Sequence, residues 1–286
     1  MSGTERPSNG YDKKDSGRAL SVEHVSFAYD AELVLKDINL TVAEGEFIAV
    51  LGPSGCGKTS LLRLLAGLEK PVDGKILHQG NPVTGPSIKR GVVFQDYSLF
   101  PWLNLQDNLT IAINKARKGL GRAERNKIAE EYLDLVGLQG MASKHPYEVS
   151  GGMRQRAAIA RSLALGSPVL LMDEPFGALD PVNRVRLQDL LLQLCRSHST
   201  GRTIVFVTHD VEEALYLGDR VVVLGTTPGR VIADINVPFD GQYQRHDLFQ
   251  SKEFRQLEEK ISALYHDDIE RQLEAGSVVF GEGELI

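Results

Sequence analysis

The residues best suited to chemistry form a glycine-rich segment that ends in a lysine and a threonine. The segment fits the spacing G-x-x-x-x-G-K-[ST], and its sequence is Gly52-Pro53-Ser54-Gly55-Cys56-Gly57-Lys58-Thr59, with Ser60 following. Glycines let backbone N–H groups turn inward around phosphate oxygens, and a helix that starts here adds its positive N-terminal end. Lys58 can then reach the β- and γ-phosphates, and Thr59 can bind Mg²⁺ through its hydroxyl. The segment predicts a nucleotide site; a glycine-rich turn with a surface lysine is the alternative.

A second candidate group is a pair of acids at the end of an apolar run. Residues 169–172 are Val-Leu-Leu-Met, and Asp173 and Glu174 follow them. At the carboxyl end of a buried strand, Asp173 can hold the Mg²⁺ shell and Glu174 can polarise an attacking water. An isolated Asp-Glu pair is more often an N-cap followed by an acid in the first helical turn. Beside a phosphate site, the metal and water interpretation is favoured.

A third group lies between these two and has the sequence Ser150-Gly151-Gly152. If it opens a helix, it offers a hydroxyl, free N–H groups and the positive helix end to an anion. An isolated tripeptide of this kind is a weak signal, and a simple loop is the alternative. Two phosphate-type sites in one chain nevertheless suggest that two copies share a nucleotide.

The elements that must position these groups can be predicted from apolar patterning. The run 47–51 is short and continuous, as in a buried strand, and it leads into the glycine-rich segment and then a helix. Further strands are predicted from apolar runs or alternation at 20–29, 34–42, 169–172, 203–208 and 221–224. Residues 101–165 have helical spacing, and 254–265 form one amphipathic stretch. The pattern predicts an α/β core interrupted by a helical insertion, with a tail at each end.

Composition excludes several classes of protein. The chain has 286 residues, 42% of them apolar, and 32 Lys and Arg against 38 Asp and Glu give a net charge of −6. This mild acidity argues against a nucleic-acid partner, which requires a basic face. No apolar run approaches the roughly 20 residues of a membrane span, and the polar start lacks a secretory core. We therefore expect a chain that neither crosses a membrane nor leaves the cell, with Cys56 and Cys195 as reduced thiols.

The order of the motifs resembles that of ATP-hydrolysing subunits of ABC (ATP-binding cassette) transporters, over about residues 19–235. Tyr29 is at the position where that family stacks an aromatic ring on adenine, although ordinary packing also explains a tyrosine at a strand end. Gln95 matches the glutamine that contacts Mg²⁺ or the attacking water and leads to the membrane partner. Asp180, in Ala-Leu-Asp, resembles the loop at the dimer seam, and His209, in Val-Thr-His-Asp, matches the histidine that contacts the γ-phosphate.

The resemblance also implies a fold and a domain layout. The expected fold is a P-loop NTPase core, with a mixed sheet flanked by helices, an N-terminal antiparallel β subdomain and an inserted helical subdomain. The expected limits are a flexible tail at 1–18, an ATPase domain at 19–240 with the helical subdomain at about 96–165, and a helical tail at 241–286. We expect that last segment to pack on the core rather than to regulate it.

By this resemblance ATP and Mg²⁺ bind between two chains. Lys58 and Thr59 of one copy face Ser150, Gly151 and Gly152 of another, so the working unit is a homodimer or a pair with a similar ATPase. The family's segment usually begins with Leu and continues with Gly-Gln after its first glycine, whereas here Val149 precedes it and Gly152-Met153-Arg154 ends it. Glu174 is the expected general base, His209 the γ-phosphate contact, and Gln95 the residue that couples closure to the partner, with Thr59, Gln95 and Asp173 as metal ligands.

A subfamily is indicated by Phe100-Pro101-Trp102, by Thr226-Thr227-Pro228-Gly229-Arg230 and by the 254–265 stretch. These resemble ATPases of nitrate, sulfonate, taurine and bicarbonate importers. The resemblance implies a transmembrane permease, an external solute-binding protein, no nucleic acid, and a peripheral location on the cytoplasmic face of the inner membrane. Trp102 is either an interface anchor or a buried residue of the helical insertion. The alternative function is a soluble ABC ATPase without a transport role, for which we would expect a long coiled coil or tandem cores.

Overall fold

The computed structural model describes residues 17–196, 201–239 and 245–274. Most of the predicted tail at 1–18, together with residues 240–244 and 275–286, lies outside the described residues. The described strands are β1 (Arg18–Tyr29), β2 (Glu32–Ala43), β3 (Phe47–Leu51), β4 (Asp73–His78), β5 (Asn81–Pro82), β6 (Arg90–Val93), β7 (Val169–Asp173), β8 (Thr203–Thr208), β9 (Arg220–Leu224) and β10 (Val231–Asn236).

The described helices are α1 (Lys58–Ala66), α2 (Leu105–Ala116), α3 (Arg122–Leu135), α4 (Gly151–Leu165), α5 (Pro181–Arg196), α6 (Val211–Leu217), α7 (Arg245–Gln250) and α8 (Lys252–Glu274). A short 3-10 helix, Pro146–Glu148, precedes α4. The helices α2, α3 and α4 lie between β6 and β7 in sequence, as the predicted insertion requires. The domain limits at 19–240, 96–165 and 241–286 remain predictions.

A six-stranded sheet with the order β10-β9-β3-β8-β7-β6 carries the main layer. Its strands from β9 to β6 are parallel, and only β10 is antiparallel to its neighbour. Every residue of β3, β7 and β8 is buried, because parallel strands covered on both faces need continuous apolar sequence. The predicted strands at 47–51, 169–172, 203–208 and 221–224 are therefore found, within a mixed sheet.

A second, antiparallel sheet has the order β2-β1-β4-β5. Register shifts interrupt the pairing of β1 with β2, which explains the imperfect apolar alternation of the sequence there. Sequence patterning did not predict β4, β5, β6 or β10. The first three residues of β4 are exposed, and only Ile76 and His78 are buried, so that strand has too little apolar alternation to be recognised.

Strand β3 is shared by two hydrophobic cores. Phe47, Ala49 and Leu51 belong to a cluster with the helical subdomain and with α5, α6 and α8. Ile48 and Val50 point to the opposite face, where α1 and the antiparallel sheet form the second cluster. The two-residue period of one strand thus connects both halves of the molecule. The sequence prediction of an α/β core with an N-terminal β subdomain and a helical insertion is confirmed.

The C-terminal helix α8 is longer than the predicted 254–265 stretch. Phe254 and Ile261 are buried against the main core. The ring of Phe254 also lies 4.8 Å from that of Phe249 and 5.8 Å from that of Phe239, measured between centroids. The described part of the C-terminal segment is thus a pair of helices, α7 and α8, held by aromatic packing. Within the described residues, no helix combines the length and apolarity needed to cross a bilayer.

Asn108 organises the start of the helical subdomain from inside α2. Its side chain has no exposed surface. Its Oδ1 accepts from the N–H of Phe100 at 2.8 Å. Its Nδ2 lies 3.0 to 3.1 Å from the carbonyl oxygens of Phe100, Leu103 and Asn104. One buried amide therefore fixes the backbone of the segment 100–104, which carries Trp102.

Replacing Asn108→Ala should lower the free energy of unfolding by about 2–3 kcal/mol, because several buried backbone groups lose their partner. Urea unfolding followed by circular dichroism measures this. Asn114→Ala, an exposed position of the same helix, is the matched control and should change stability by less than about 0.5 kcal/mol. Equal effects of the two substitutions would contradict the role given to Asn108.

Candidate functional site

A cleft of about 490 Å³ opens at one edge of the six-stranded sheet. The parallel strands end there at Leu51, Val93, Asp173 and Thr208, and the residues that follow each strand project into the same region. The lining residues come from segments distant in sequence: Tyr29, Val34, Ser54, Gly55, Gly57, Lys58, Thr59, Ser60, Gln95, Glu174 and His209. Strand direction alone therefore brings together most of the residues singled out in the sequence.

The glycine-rich segment 52–59, from here on the phosphate-binding loop, connects β3 to α1. Gly55 and Gly57 have φ of 81° and 96°, a region that favours glycine. A Cβ on Gly57 would lie 2.6 Å from Cδ2 of Leu35, so a larger residue would also clash. Helix α1 starts at Lys58 without a side-chain cap and without an acid in its first turn. Its first N–H groups are therefore left for an anion.

Lys58 lies within the phosphate-binding loop rather than on the surface. Only 6% of the residue is exposed. Its Nζ donates to the carbonyl oxygens of Gly52 at 2.8 Å and Pro53 at 2.9 Å. The loop thus surrounds a fixed positive charge at the floor of the cleft, which excludes the surface-lysine alternative.

Cys56 contributes its backbone to the loop and not its thiol. The residue is 1% exposed, and a Cβ on Gly52 would lie 2.6 Å from its Sγ, so the thiol packs behind the loop. Burial raises the pKa of the Cys56 thiol, which makes the reactive thiolate scarce at neutral pH. The side chain of Cys195 lies outside the described residues.

Thr59 and Asp173 place two oxygens side by side at the start of α1 and the end of β7. Thr59 Oγ1 donates to Asp173 Oδ1 at 3.2 Å. Asp173 is 2% exposed, and burial raises the pKa of its carboxyl group, an effect that the Thr59 hydrogen bond partly offsets. A carboxylate and a hydroxyl are the hard oxygen donors that Mg²⁺ prefers.

Glu174 turns sharply away from β7 and meets His209. Its φ of 43° lies in the left-handed region, a strained conformation for a residue with a side chain. Its N–H donates to the carbonyl oxygen of Val207 at 3.0 Å, which holds that turn in place. Glu174 Oε1 then lies 3.2 Å from His209 Nδ1. The geometry presents a carboxylate and an imidazole together at the cleft, His209 being the more exposed.

Tyr29 also lines the cleft. Its ring packs edge-to-face on Phe27, with centroids 4.7 Å apart and planes at 83°, yet 42% of the residue remains exposed. Packing and ligand stacking are therefore compatible for this ring, because it contacts Phe27 and is still substantially exposed. Gln95, just beyond β6, lines the same cleft.

The segment 150–152 and Asp180 lie elsewhere: among the described residues that line the cleft, none of Ser150, Gly151, Gly152 and Asp180 occurs. Ser150 caps α4 by accepting from the N–H of Met153 at 3.3 Å. A Cβ on Gly151 would lie 3.4 Å from the Tyr97 hydroxyl, and one on Gly152 would lie 3.1 Å from the carbonyl oxygen of Ala178. The helix N-terminus predicted from Ser-Gly-Gly exists, but it does not face the chain's own phosphate-binding loop.

Asp180 caps α5 in turn. Its Oδ1 accepts from the N–H of Asn183 at 3.0 Å and its Oδ2 from the Asn183 side chain at 2.6 Å. These hydrogen bonds lower the pKa of the Asp180 carboxyl group. Sequence reasoning missed Tyr97, which lies against Gly151 while the Arg154 guanidinium lies 5.5 Å from the centre of its ring. A tyrosine two residues after Gln95 carries no sequence signal for that contact.

The parallel sheet, the glycine-rich loop after β3 and the carboxylate at the end of β7 define a P-loop nucleotide-binding fold. A family model described as ABC transporter matches residues 35–177. The nitrate import ATP-binding protein NrtD of Synechococcus elongatus is 41% identical over 242 residues, with 82% of this chain and 88% of that protein covered. The chain belongs to the ABC transporter family, and it is an ATPase of that family.

Two further comparisons extend this finding. The bicarbonate transport ATP-binding protein CmpC of Synechococcus elongatus is 46% identical over 230 residues, which cover 80% of this chain and 34% of that protein. A solved dimeric structure of the ATP-binding cassette MJ0796, in a post-hydrolysis state bound to ADP and Pi, superposes with a TM-score of 0.70. It is 32% identical and covers 77% of this chain and 99% of that one. The fold prediction is confirmed by this likeness.

Asp173→Asn should leave the melting temperature equal to or above that of the unchanged protein at pH 7. Because the folded pKa of Asp173 is raised, its ionised form destabilises the fold, and the cost grows as pH rises through the raised value. Asparagine removes the charge and keeps an acceptor for Thr59. Differential scanning fluorimetry measures this, with the exposed Asp134→Asn as control. A fall of several degrees would show that Asp173 is kept for stability.

Proposed function

We propose that this ABC ATPase hydrolyses Mg²⁺-ATP to power import of a small solute, a nitrate-, sulfonate- or taurine-like anion or a related nutrient, through a separate transmembrane permease. The observation that carries the nucleotide chemistry is the cleft in which Lys58, Thr59, Gln95, Glu174 and His209 meet. The importer role is supported by similarity to proteins named for nitrate import and bicarbonate transport.

ATP binding is assigned to the phosphate-binding loop and its surroundings. The N–H groups of the loop and of the first turn of α1 would hold phosphate oxygens, and Lys58 would contact the β- and γ-phosphates. The exposed face of Tyr29 would stack on adenine. The contributing loop residues are those predicted from sequence: Gly52, Pro53, Ser54, Gly55, Cys56, Gly57, Lys58, Thr59 and Ser60.

Mg²⁺ fits the oxygen donors at the Thr59–Asp173 pair, with Gln95 as a further ligand. Within the described residues, no cluster of three or more His, Cys, Asp or Glu side chains could hold a metal by itself. Mg²⁺ is usually held by only one or two carboxylates and completes its shell with substrate phosphates and water, so the single carboxylate of Asp173 suits it. When bound, the ion neutralises charge on the β- and γ-phosphates.

Hydrolysis is assigned to Glu174. Its carboxylate would accept a proton from water as the water oxygen attacks the γ-phosphorus, and the bond to the ADP oxygen breaks in line with that attack. His209 lies 3.2 Å from Glu174 Oε1, so it can orient the carboxylate and contact the γ-phosphate with its other ring nitrogen. The strained backbone of Glu174 keeps this side chain at the cleft.

Completion of the site is assigned to a second copy, or to a similar ATPase. Ser150, Gly151 and Gly152 open α4 away from the chain's own cleft, and Asp180 caps α5 close to Gly152. We infer that these groups close over the nucleotide of the partner chain, where the α4 N-terminus would face the γ-phosphate. The solved cassette similar to this chain is itself a dimer bound to ADP and Pi.

Glu174→Gln should lower the rate of phosphate release by about 10²–10⁴-fold, because the amide cannot accept the proton. The variant should also form a dimer with ATP and Mg²⁺, since hydrolysis no longer opens it. Size-exclusion chromatography with light scattering and a phosphate assay measure both effects. Glu124→Gln, at an exposed position of α3, is the matched control. A Glu174→Gln variant that stays monomeric with ATP and Mg²⁺ would contradict the shared-site model for the isolated subunit.

A permease is proposed to dock in an apolar groove of about 860 Å³ beside the helical subdomain. Phe94, Phe100 and Ile111 supply apolar surface to its lining, and Lys115 and Arg161 supply charge. Phe94 immediately precedes Gln95, so a segment bound here would touch the chain next to the cleft. Arg161 Nη1 also donates to the carbonyl oxygen of Ser98 at 2.7 Å, which joins two residues of the groove lining.

Trp102 is the exposed anchor that we assign to this docking surface. It is 72% exposed, which favours the interface interpretation over burial in the insertion. The Trp102 ring contacts the Phe100 ring, with centroids 5.5 Å apart. Asn108 holds the backbone of the segment 100–104 that carries both rings. A membrane permease and an external solute-binding protein would select the anion, and the ATPase would lie at the cytoplasmic face of the inner membrane.

Trp102→Ala should leave the ATPase activity of the isolated subunit within about twofold and lower recovery of the permease in copurification at least about fivefold. A separate experiment identifies the transported solute: nitrate, bicarbonate, taurine and sulfonates are each tested for stimulation of the ATPase activity of the assembled complex. Tyr147→Ala is the control, because Tyr147 is as exposed as Trp102 but its ring stacks on His145 and not on Phe100 of the groove. Copurification with ribosomes or DNA and without a polytopic membrane protein would favour a soluble ABC ATPase without transport.

A further inference from the structure

The loop between β9 and β10, residues 225–230, touches the phosphate-binding loop; we call it the bracing loop. Thr227 Oγ1 donates a hydrogen bond of 2.8 Å to the carbonyl oxygen of Gly55. Gly229 packs closely against the carbonyl group of the next residue, Cys56. A Cβ on Gly229 would lie only 2.0 Å from that carbonyl oxygen. The bracing loop therefore contacts two successive carbonyl groups of the phosphate-binding loop.

These two contacts set the direction of two N–H groups. In a planar trans peptide the carbonyl oxygen and the following N–H point in opposite directions. With the carbonyl groups of Gly55 and Cys56 turned out toward the bracing loop, the N–H groups of Cys56 and Gly57 are turned inward. The N–H of Cys56 accordingly donates across the phosphate-binding loop to the carbonyl oxygen of Pro53, in a long hydrogen bond of 3.4 Å from N to O. Inward N–H groups are the donors that a phosphate needs.

The bracing loop is held from behind by Asp268 of α8. This carboxylate is buried, with 5% of the residue exposed. Its Oδ2 accepts from the N–H of Thr226 at 2.8 Å and from the Thr226 hydroxyl at 2.9 Å, and its Oδ1 pairs with the Arg230 guanidinium. Gly225 leaves room for it, because a Cβ there would lie 2.7 Å from Oδ2. One carboxylate thus ties both ends of the bracing loop to the C-terminal helix.

Backbone hydrogen bonds to β2 also attach the bracing loop. The N–H of Gly229 donates to the carbonyl oxygen of Val34 at 2.8 Å, and the N–H of Lys36 donates to that of Gly229 at 2.9 Å. These bonds hold the loop at one residue. Thr227, whose hydroxyl reaches Gly55, follows directly on Thr226, so its position depends on the Asp268 contact.

We propose that Asp268 is a positioning residue for ATP binding. From the C-terminal helix it holds the bracing loop against the carbonyl groups of Gly55 and Cys56, and so keeps the N–H groups of the phosphate-binding loop directed at the nucleotide. The inference rests on the proposed phosphate role of that loop. It also gives a function to the Thr226–Arg230 motif, which otherwise has none in the reaction.

The first test separates ATP binding from catalysis and from stability. Asp268→Ala should raise the KM for ATP, and the Kd for ATP measured by calorimetry, by about tenfold, with kcat within about twofold. Asp267→Ala, the exposed neighbour on α8, should change neither. Thr227→Val is the second variant in case Asp268→Ala fails to fold, because Thr227 is exposed and its substitution should not disturb the core. Thr227→Val should raise the Kd for ATP. Thr227→Ser keeps the hydroxyl group and should have the Kd of the unchanged protein.

The second readout is the thiol of Cys56, which is 1% exposed and lies on the phosphate-binding loop. The chain has two cysteines, so the measurement uses a Cys195→Ser background. Modification by N-ethylmaleimide should be about tenfold faster in Asp268→Ala and in Thr227→Val than in Asp267→Ala, because the loop opens more often. An unchanged Kd for ATP in both variants would overturn the inference, whatever the labelling rate.

Failure of the proposed function has a different outcome. If the unchanged protein and Lys58→Ala bind ATP equally, or neither binds it, the phosphate-binding loop is not the nucleotide site. If the unchanged protein binds ATP, Lys58→Ala does not, and the Asp268 and Thr227 variants match the unchanged protein, only the positioning role of Asp268 is wrong.

Discussion

The constraint on which the rest of the structure depends is the direction of a few backbone N–H groups after β3. The direction of such groups follows the peptide planes of the loop, so it depends on the backbone dihedral angles. Gly55 and Gly57 permit the required dihedral angles, and the neighbours of the loop then select them. Strand β2, the bracing loop and α8 contact the phosphate-binding loop directly or through one another. Elements from both ends of the described chain therefore converge on one short turn.

Around that turn the molecule accepts local conformations that cost stability. Asp173 is a buried acid whose ionised form is disfavoured, and Glu174 holds a left-handed backbone. The surrounding sheet offsets these costs, because β3, β7 and β8 are buried along their whole length. The strain is concentrated where the strands end, and the core beside it is intact. This arrangement is expected of a site that is organised for binding rather than for stability.

Much of the fold and the cleft could be predicted from sequence because the signals are local. The apolar run before Gly52 and the acids after Met172 each place a strand and its chemistry in one segment. Strand β4, with a largely exposed start, has no such signal. Long-range contacts also have no sequence signal. Thr227 and Gly55, for example, are hydrogen-bonded but lie 172 residues apart. The position of Ser150 outside the chain's own cleft also follows only from tertiary packing, although the motif had suggested a shared nucleotide.

Strand β3 separates the two hydrophobic cores residue by residue, and this has an evolutionary consequence. Phe47, Ala49 and Leu51 pack with the helical subdomain, whereas Ile48 and Val50 pack under the antiparallel sheet and α1. Substitutions that reshape the helical side can accumulate while the packing beneath the phosphate-binding loop stays unchanged. During evolution, the helical subdomain can therefore adapt to a new binding partner while the packing that supports the phosphate-binding loop is retained.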